Sequence, residues 1–188
     1  MHICGIDEAG RGPLAGPVVV AAVTFQGEKN IPGIKDSKKL SSRERERLYF
    51  EIVNKAAEYK IFVINHKIID EINILKAVML GMKKCINLFD KEKHQFLIDG
   101  NYFKLENNEE RNYNFETIVK GDDKIFEISC ASILAKVTRD KIMKIYSNFF
   151  PEYLFERHKG YATKMHIDII KKSGITQIHR KSFCKKYL

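Results

Sequence analysis

Residues 3–25 read ICGIDEAGRGPLAGPVVVAAVTF, and this stretch decides the fold class. A short apolar run at 3–6 ends at the acidic pair Asp7-Glu8, and a segment rich in Gly and Pro follows at 10–17. Gly and Pro mark turns, so this segment is predicted to be a loop. Residues 18–25 are mostly apolar and rich in β-branched side chains, which is typical of a strand buried on both faces. We therefore predict two strands that pair across the loop.

Further along the chain, short apolar runs alternate with helical patterns. Strands are predicted at 61–64, 96–98 and 116–119. Ser41 and Glu44 match the capping-box pattern that begins a helix. Strands that come first and then alternate with helices indicate a mixed sheet covered by helices. The fold class is therefore predicted to be α/β, with a mixed five-stranded sheet flanked by helices.

Some helical details are also predicted from periodicity. Asp70 is expected to cap a helix whose buried face includes Leu75, and a helix over about residues 128–148 is expected to turn Ile145 inward. Residues 104–114 are polar and rich in Asn, which favours an exposed loop. These expectations rest on local pattern alone.

Nearly all of the excess positive charge lies near the C-terminal end. The net charge is +9, and residues 157–188 hold nine Lys or Arg against the single acid Asp168, whereas residues 1–156 are almost balanced. A block of this kind attracts a polyanion, with nucleic acid the leading candidate, although a solvated basic surface explains the charge equally well. We predict a main domain at 1–156 and a small basic helical appendage at 157–188 that contributes to substrate binding.

Composition favours a soluble, cytoplasmic protein that does not enter a membrane. The longest apolar stretch, residues 14–25, has 12 residues, fewer than the roughly 20 that a membrane span needs. The first residues lack the charged and apolar regions of a secretion signal. The cysteines show no C-x-x-C pair or zinc spacing, so they are predicted to be reduced and mostly buried; they are Cys4, Cys85, Cys130 and Cys184.

Acidic residues end three of the predicted strand segments, namely Asp7-Glu8, Asp99 and Asp122. Strand ends at one edge of a sheet can converge in space, and ligands bind outside such ends. Carboxylates gathered there repel one another, and a divalent cation with a preference for oxygen ligands, Mg²⁺ or Mn²⁺, removes that repulsion. Each acid taken alone is explained as well by a helix cap or an ion pair.

At this point the chain resembles a known family, type 2 ribonuclease H (ribonuclease HII). The resemblance runs from residue 3 to about 183, in the family's order. It is carried by Asp7-Glu8-Ala9-Gly10-Arg11-Gly12, Asp36-Ser37-Lys38-Lys39-Leu40, Ile98-Asp99-Gly100, Lys120-Gly121-Asp122, the stretch ISCASILAKVTRD at 128–140, and His158-Lys159-Gly160-Tyr161. It implies a ribonuclease H-like catalytic domain, two divalent ions (Mn²⁺ or Mg²⁺), and Asp7, Glu8, Asp99 and Asp122 as catalytic and metal-binding acids, with Asp123 the alternative to Asp122.

The resemblance also implies residues that read the substrate. Gly10-Arg11-Gly12 would contact the ribose at an RNA–DNA junction through backbone groups, and Gly lets the backbone approach a sugar closely. Tyr161 would pack against the sugar beyond the junction. Candidate phosphate contacts, each of which could equally be a solvated charge, are Lys38, Lys39, Lys136 and Arg139. Ser129 is predicted to cap a helix or to contact a phosphate.

The implied activity is hydrolysis of the phosphodiester 5′ of a ribonucleotide, leaving a 3′-hydroxyl and a 5′-phosphate. The expected substrates are RNA–DNA hybrids and duplex DNA that contains single ribonucleotides, and the chain is expected to be a monomer. Two alternatives stay open. A type 3 ribonuclease H shares the fold but generally carries an extra N-terminal domain, for which Asp7 leaves no room. A non-catalytic nucleic-acid-binding protein would explain the basic tail but not the acids.

Overall fold

The structure, a computed structural model, describes residues 1–27, 29–34 and 40–188. Its strands are β1 (His2–Ala9), β2 (Val18–Thr24), β3 (Glu58–Ile64), β4 (His94–Asp99) and β5 (Phe115–Ile118). They form one sheet in the order β3-β2-β1-β4-β5. The β1–β2 and β2–β3 pairs are antiparallel, whereas β1–β4 and β4–β5 are parallel. The predicted mixed five-stranded sheet is therefore confirmed.

Helices cover both faces of this sheet. They are α1 (Ser42–Lys55), α2 (His66–Ile72), α3 (Ile74–Ile86), α4 (Gly121–Lys124), α5 (Phe126–Phe149), α6 (Phe155–His158), α7 (Lys164–Ser173) and α8 (Lys181–Cys184). Short 3₁₀ helices span Glu106–Asn112 and Pro151–Tyr153. Ser41 and Glu44 form the predicted capping box at the start of α1.

Strand β2 explains why the fold has two cores. All of its residues are buried, and alternate side chains point to opposite faces of a strand. Val18, Val20 and Ala22 pack in one apolar cluster with α3. Val19, Ala21 and Val23 pack in a second cluster with α1 and α5. The apolar run found in the sequence is therefore the shared wall between two layers of core.

A third apolar cluster joins the C-terminal segment to the loop between β1 and β2. Leu14 and Ala15 of that loop pack with Met143 of α5, Ile170 of α7 and Cys184 of α8. The described cysteines are all free and buried, which agrees with the prediction from their spacing. No helix of the described residues is long and apolar enough to cross a bilayer.

Three local predictions were wrong because tertiary contacts override periodicity. Asn73, not Asp70, caps α3. Asp70 lies inside α2 and its carboxylate accepts hydrogen bonds from the N–H groups of Lys181 and Ser182 at 2.8 and 3.0 Å, so it caps α8 instead. Leu75 and Ile145, predicted to be buried, are 41% and 54% exposed.

The predicted exposed loop at 104–114 is also corrected. It contains the 3₁₀ helix Glu106–Asn112, and Leu105 and Tyr113 at its ends are buried in the core. Because the residues between them are polar, the sequence pattern did not indicate that Leu105 and Tyr113 are buried.

Gly5 provides a test of the packing between β1 and α5. A Cβ added at Gly5 would lie 2.2 Å from the backbone carbon of Glu127, so Gly5→Ala must push the strand and helix apart. We expect the free energy of unfolding to fall by about 3 kcal/mol. The measurement is urea denaturation followed by circular dichroism. Gly12→Ala is the matched control, because a Cβ at Gly12 meets no atom within 4 Å; equal losses in both variants would contradict this packing.

Candidate active site

The parallel pairing of β1 with β4 brings the first acids together. Ile6 pairs with Ile98 in the register, so Asp7 and Asp99 are the next residues at the carboxyl ends of neighbouring strands. Asp7 is buried, whereas Glu8 and Asp99 are partly exposed. The predicted convergence of Asp7, Glu8 and Asp99 at one sheet edge is therefore present in the structure.

Asp122 reaches the same edge through the turn that follows β5. Asp99 pairs with Ile118 at the end of β5. The N–H of Gly121 donates to Asp99 Oδ1 at 2.7 Å, and the N–H of Asp122 lies 3.4 Å from the same oxygen. Gly121 lets the turn approach closely, because a Cβ there would lie 2.6 Å from Ile128 Cδ1 and 3.3 Å from Asp99 Oδ1 and would displace these side chains.

Ser129 secures this turn and not a substrate phosphate. Its hydroxyl donates to the carbonyl oxygen of Asp122 at 2.5 Å and lies 3.0 Å from that of Ile125. Its side chain is almost completely buried. The predicted phosphate contact is therefore corrected to a positioning role one step behind Asp122.

Burial and neighbouring acids raise the pKa of both Asp7 and Glu8. Burial raises the pKa of Asp7 well above its usual value, the charges of Glu8 and Asp99 raise it further, and a hydrogen bond from Ser132 opposes the shift. Burial and the charge of Asp99 also raise the pKa of Glu8, while the nearby Arg11 lowers it. This edge of the sheet therefore favours either protonation or a bound cation.

The donor set fits a hard divalent cation, since every candidate ligand is a carboxylate oxygen. In the described residues, no three Asp, Glu, His or Cys side chains already have the arrangement that holds a metal ion. Instead, three of these carboxylates face donors within the protein. Asp7 Oδ1 accepts from the N–H of Glu8 at 2.7 Å, Glu8 faces Arg11 at 3.4 Å, and Asp99 accepts from Gly121.

Two clefts meet at Glu8 and Arg11. One, of about 420 Å³, is lined by the Gly10-Arg11-Gly12 turn together with Ser132, Lys136 and Tyr161. The other, of about 340 Å³, shares Glu8 and Arg11 with the first and extends past Asp99 to Tyr102. Glu8 therefore lines both clefts, and Asp99 lines the second.

Tyr161 and Lys136, which are predicted to contact the substrate, both line the first cleft. The ring of Tyr161 is partly exposed, and Lys136 Nζ lies 5.9 Å from its centroid. Lys136 also pairs with Asp140 at 2.8 Å. Arg45 lines the same cleft and was not predicted, because nothing distinguishes it from the other charges of α1. Lys38 and Lys39, predicted phosphate contacts, lie outside the described residues.

Arg139, a predicted phosphate contact, is corrected to a structural role. Its side chain has no exposed surface. It donates to the backbone carbonyl oxygens of Pro17 at 2.9 Å and Ala15 at 3.1 Å. Its guanidinium carbon lies 5.6 Å from the ring centroid of Tyr161. Arg139 therefore supports the cleft from beneath.

Arg180 was missed from the sequence altogether. It is also fully buried, and it donates to the carbonyl oxygens of Gly10 at 2.6 Å, Arg11 at 2.9 Å, Gly16 at 3.0 Å and Pro17 at 3.1 Å. In the sequence it is one of many cations in a basic block. No pattern in that block indicated that this one faces inward.

Three buried histidines stand behind Tyr161. The N–H of Thr176 donates to His179 Nδ1 at 2.8 Å, so the proton of His179 is on Nε2 and points to His166 Nε2 at 3.0 Å. The Nδ1–H of His166 then donates to the carbonyl oxygen of Tyr161 at 2.9 Å. The ring of His158 stacks on that of His166 with centroids 4.2 Å apart. The cluster is thus built for neutral imidazoles.

The chain has the ribonuclease H fold and belongs to the class of metal-dependent endoribonucleases, as its similarity to solved and curated ribonucleases HII shows. The solved ribonuclease HII of Archaeoglobus fulgidus, determined in complex with PCNA, superposes with a TM-score of 0.82 at 26% identity, over 97% of this chain and 94% of that one. Similarity over nearly both whole chains confirms the fold class.

The relatives narrow the class to one family. The family model described as Ribonuclease HII matches residues 4–186. Ribonuclease HII of Francisella tularensis subsp. mediasiatica is 51% identical over 97% of this chain and 95% of its own length. That of Caldicellulosiruptor bescii is 48% identical over 99% and 88%. The chain belongs to the ribonuclease HII family, which excludes both the type 3 and the non-catalytic alternatives.

The buried histidines predict a pH dependence of stability. Burial and the neighbouring histidines lower the pKa of His166 to about 4 and that of His179 to about 3, against about 6.5 in an unfolded chain. Because the unfolded chain binds protons first, their contribution is fully present above about pH 6.5 and is lost as the pH falls toward 4. We expect the free energy of unfolding to drop between pH 6.5 and 4.5.

His166→Asn and His179→Gln should make that drop shallower relative to wild type, although both variants are less stable at pH 7. The measurement is urea denaturation at pH 7, 6 and 5. His2→Gln, at an exposed site, is the control and should keep the wild-type slope. Parallel pH profiles for wild type and both cluster variants would refute the neutral-histidine assignment.

The raised pKa of Asp7 predicts that this acid destabilises the metal-free protein. In chelator at pH 8, Asp7→Asn should raise Tm by about 2–4 °C, which corresponds to about 1 kcal/mol for a domain of this size. Added Mn²⁺ should then raise the Tm of wild type more than that of Asp7→Asn, since the ligand is missing from the variant. Glu116→Gln on β5 serves as a control that removes an exposed acid outside the site. Equal Mn²⁺ responses in all three proteins would place the metal elsewhere.

Proposed function

We propose that this chain hydrolyses the phosphodiester on the 5′ side of ribonucleotides, both in RNA–DNA hybrids and where single ribonucleotides lie in duplex DNA. The products are a 3′-hydroxyl and a 5′-phosphate. Membership of the ribonuclease HII family supports endonuclease action on RNA–DNA. The observation that carries the finer proposal is that Glu8, whose charge acts on Asp7 and which itself feels the charge of Asp99, lines the same cleft as the Gly10-Arg11-Gly12 turn.

The family depends on divalent metal ions, and we propose two, Mg²⁺ or Mn²⁺, at the acids. Asp7 and Asp99 are the central ligands, and Glu8 and Asp122 complete the set. Divalent ions held by these residues would supply activation of water and neutralisation of charge on the attacking and leaving oxygens. The protein's own task is to hold the carboxylates: Ser132 donates to Asp7, and the Gly121 turn and Ser129 fix Asp99 and Asp122.

Substrate recognition is proposed for the first cleft. The backbone of Gly10-Arg11-Gly12 reads the ribose and its 2′-hydroxyl, and Tyr161 packs against the next sugar. Lys136 lies beside Tyr161 and is placed to meet a phosphate. The basic segment 157–188 supplies Tyr161 itself and adds long-range attraction for the duplex.

In the cell, such an enzyme removes misincorporated ribonucleotides and RNA primers. The division into a catalytic domain at 1–156 and a basic appendage at 157–188, the monomeric state and the cytoplasmic location stay predictions.

Cleavage of a duplex with one embedded ribonucleotide tests the proposed activity. With Mg²⁺ or Mn²⁺ we expect a single cut 5′ of the ribonucleotide, and none in chelator; end-labelled products give the position and the end chemistry. The all-DNA duplex of the same sequence is the control. Cleavage 3′ of the ribonucleotide, a 2′,3′-cyclic phosphate end, or activity in chelator would contradict the mechanism.

Asp7→Asn tests the assignment of the acids. Loss of a central ligand should lower the cleavage rate by at least about 100-fold, while the affinity for the ribonucleotide duplex, measured by fluorescence anisotropy, stays within a few-fold of wild type. Asp123→Asn is compared with Asp122→Asn, because these neighbours are the two candidates for the fourth acid. We expect Asp122→Asn to lower the cleavage rate more than Asp123→Asn does. A wild-type cleavage rate in Asp7→Asn would contradict the assignment of Asp7 to the active site.

A further inference from the structure

Two fully buried arginines lie beneath the loop between β1 and β2, residues 10–17, which we call the reading loop. Their hydrogen bonds go to backbone carbonyls. Arg139 and Arg180 together bind the carbonyl oxygens of residues 10, 11, 15, 16 and 17. Burying a cation is costly unless it is well hydrogen-bonded. The protein retains two of them in close proximity, and burial together with the positive charge of Arg139 lowers the pKa of Arg180 to about 9. The energetic cost of burying both cations suggests that they do more than attach the C-terminal segment, residues 157–188, to the loop.

The bonds from Arg180 set the orientation of two peptide planes. The described chain has no cis peptide bond, and in a trans peptide the C=O of one residue points opposite to the N–H of the next. Since the carbonyls of Gly10 and Arg11 point inward to Arg180, the N–H groups of Arg11 and Gly12 point outward. Among the described residues, neither of these N–H groups has a recorded acceptor, and both residues line the first cleft.

We propose that Arg180 is a positioning residue for ribose recognition: by drawing the carbonyls of Gly10 and Arg11 inward, it presents the N–H groups of Arg11 and Gly12 as a fixed pair of donors to the substrate. This inference rests on the proposed function for the identity of the substrate. A preorganised donor pair costs no reorganisation when the ligand arrives. Arg180 acts from the side opposite to the cleft and does not touch the substrate.

Arg139 and Gly10 complete the arrangement. Gly10 has φ +101°, and a Cβ there would lie 2.2 Å from Arg139 Nε. The backbone at Gly10 thus packs directly against the side chain of Arg139, with no room for a Cβ between them. Arg180 also lies in the segment that supplies Tyr161, and its own N–H donates to the carbonyl of Leu14 at 2.8 Å. Arg180 therefore links the reading loop, residues 10–17, to the C-terminal segment, residues 157–188.

The test compares Arg180→Gln and Arg180→Lys with a matched control, Asp70→Asn. Asp70 holds the same segment through the N–H groups of Lys181 and Ser182, so its loss loosens α8 without removing the guanidinium. The first readout is binding in chelator to the single-ribonucleotide duplex and to the all-DNA duplex. We expect the affinity ratio between them to fall about tenfold in Arg180→Gln, to fall less in Arg180→Lys, and to stay at the wild-type value in Asp70→Asn.

The second readout does not depend on activity. Arg11 is exposed, so trypsin can cut after it once the loop is no longer held. We expect cleavage at Arg11 to be about tenfold faster in Arg180→Gln and unchanged in Asp70→Asn. A folded Arg180→Gln that keeps both the wild-type ratio and the wild-type trypsin resistance would overturn the proposal. So would an equal loss of the ratio in Asp70→Asn, which would mark a general loosening.

Wild-type protein provides a third arm if the Arg180 variants do not fold. By amide hydrogen exchange, the Arg11 and Gly12 N–H groups should gain protection with the ribonucleotide duplex and not with the DNA duplex; equal protection by both would overturn the proposal. Failure of the proposed function is distinguishable, because a wild type that neither cuts nor prefers ribonucleotides contradicts that function. The trypsin comparison then still decides whether Arg180 holds the loop.

Discussion

The parallel pairing of β1 with β4 is the constraint on which the site depends. It places Asp7 beside Asp99 at the ends of two neighbouring strands, where burial and mutual repulsion raise the pKa of Asp7. This is an unfavourable arrangement in the absence of a cation. The rest of the fold must therefore be stable enough to hold like charges together, a common cost of catalytic sites.

That stability comes from the two apolar layers on either side of β2. The strand is buried along its whole length and divides its side chains between two clusters. Gly5 lets α5 approach β1 so closely that no Cβ fits between them, and α5 in turn carries Ser129 and Ser132 to the acids. The same helix thus completes one core and orients the carboxylates, so packing and chemistry are coupled through α5.

The C-terminal segment, residues 157–188, contributes both exposed and buried groups. Its exposed lysines give the positive charge that we propose attracts a duplex, and it also carries groups that face inward. Arg180 holds the Gly10–Gly12 backbone, and His166 holds the carbonyl of Tyr161. The groups proposed to read the substrate therefore rest on buried polar contacts, which specify geometry more strictly than apolar packing does.

The sequence by itself determined the mixed sheet, the buried strand β2, the capping box at Ser41 and the acids at strand ends, because these follow from periodicity and composition over a few neighbouring residues. Tertiary structure alone decided that Arg139 and Arg180 face inward and that Asp70 caps α8. The bonds of Arg180 to the loop join residues 163 to 170 positions apart. A local pattern carries no information about such partners, since a buried arginine and a solvated one have the same letter.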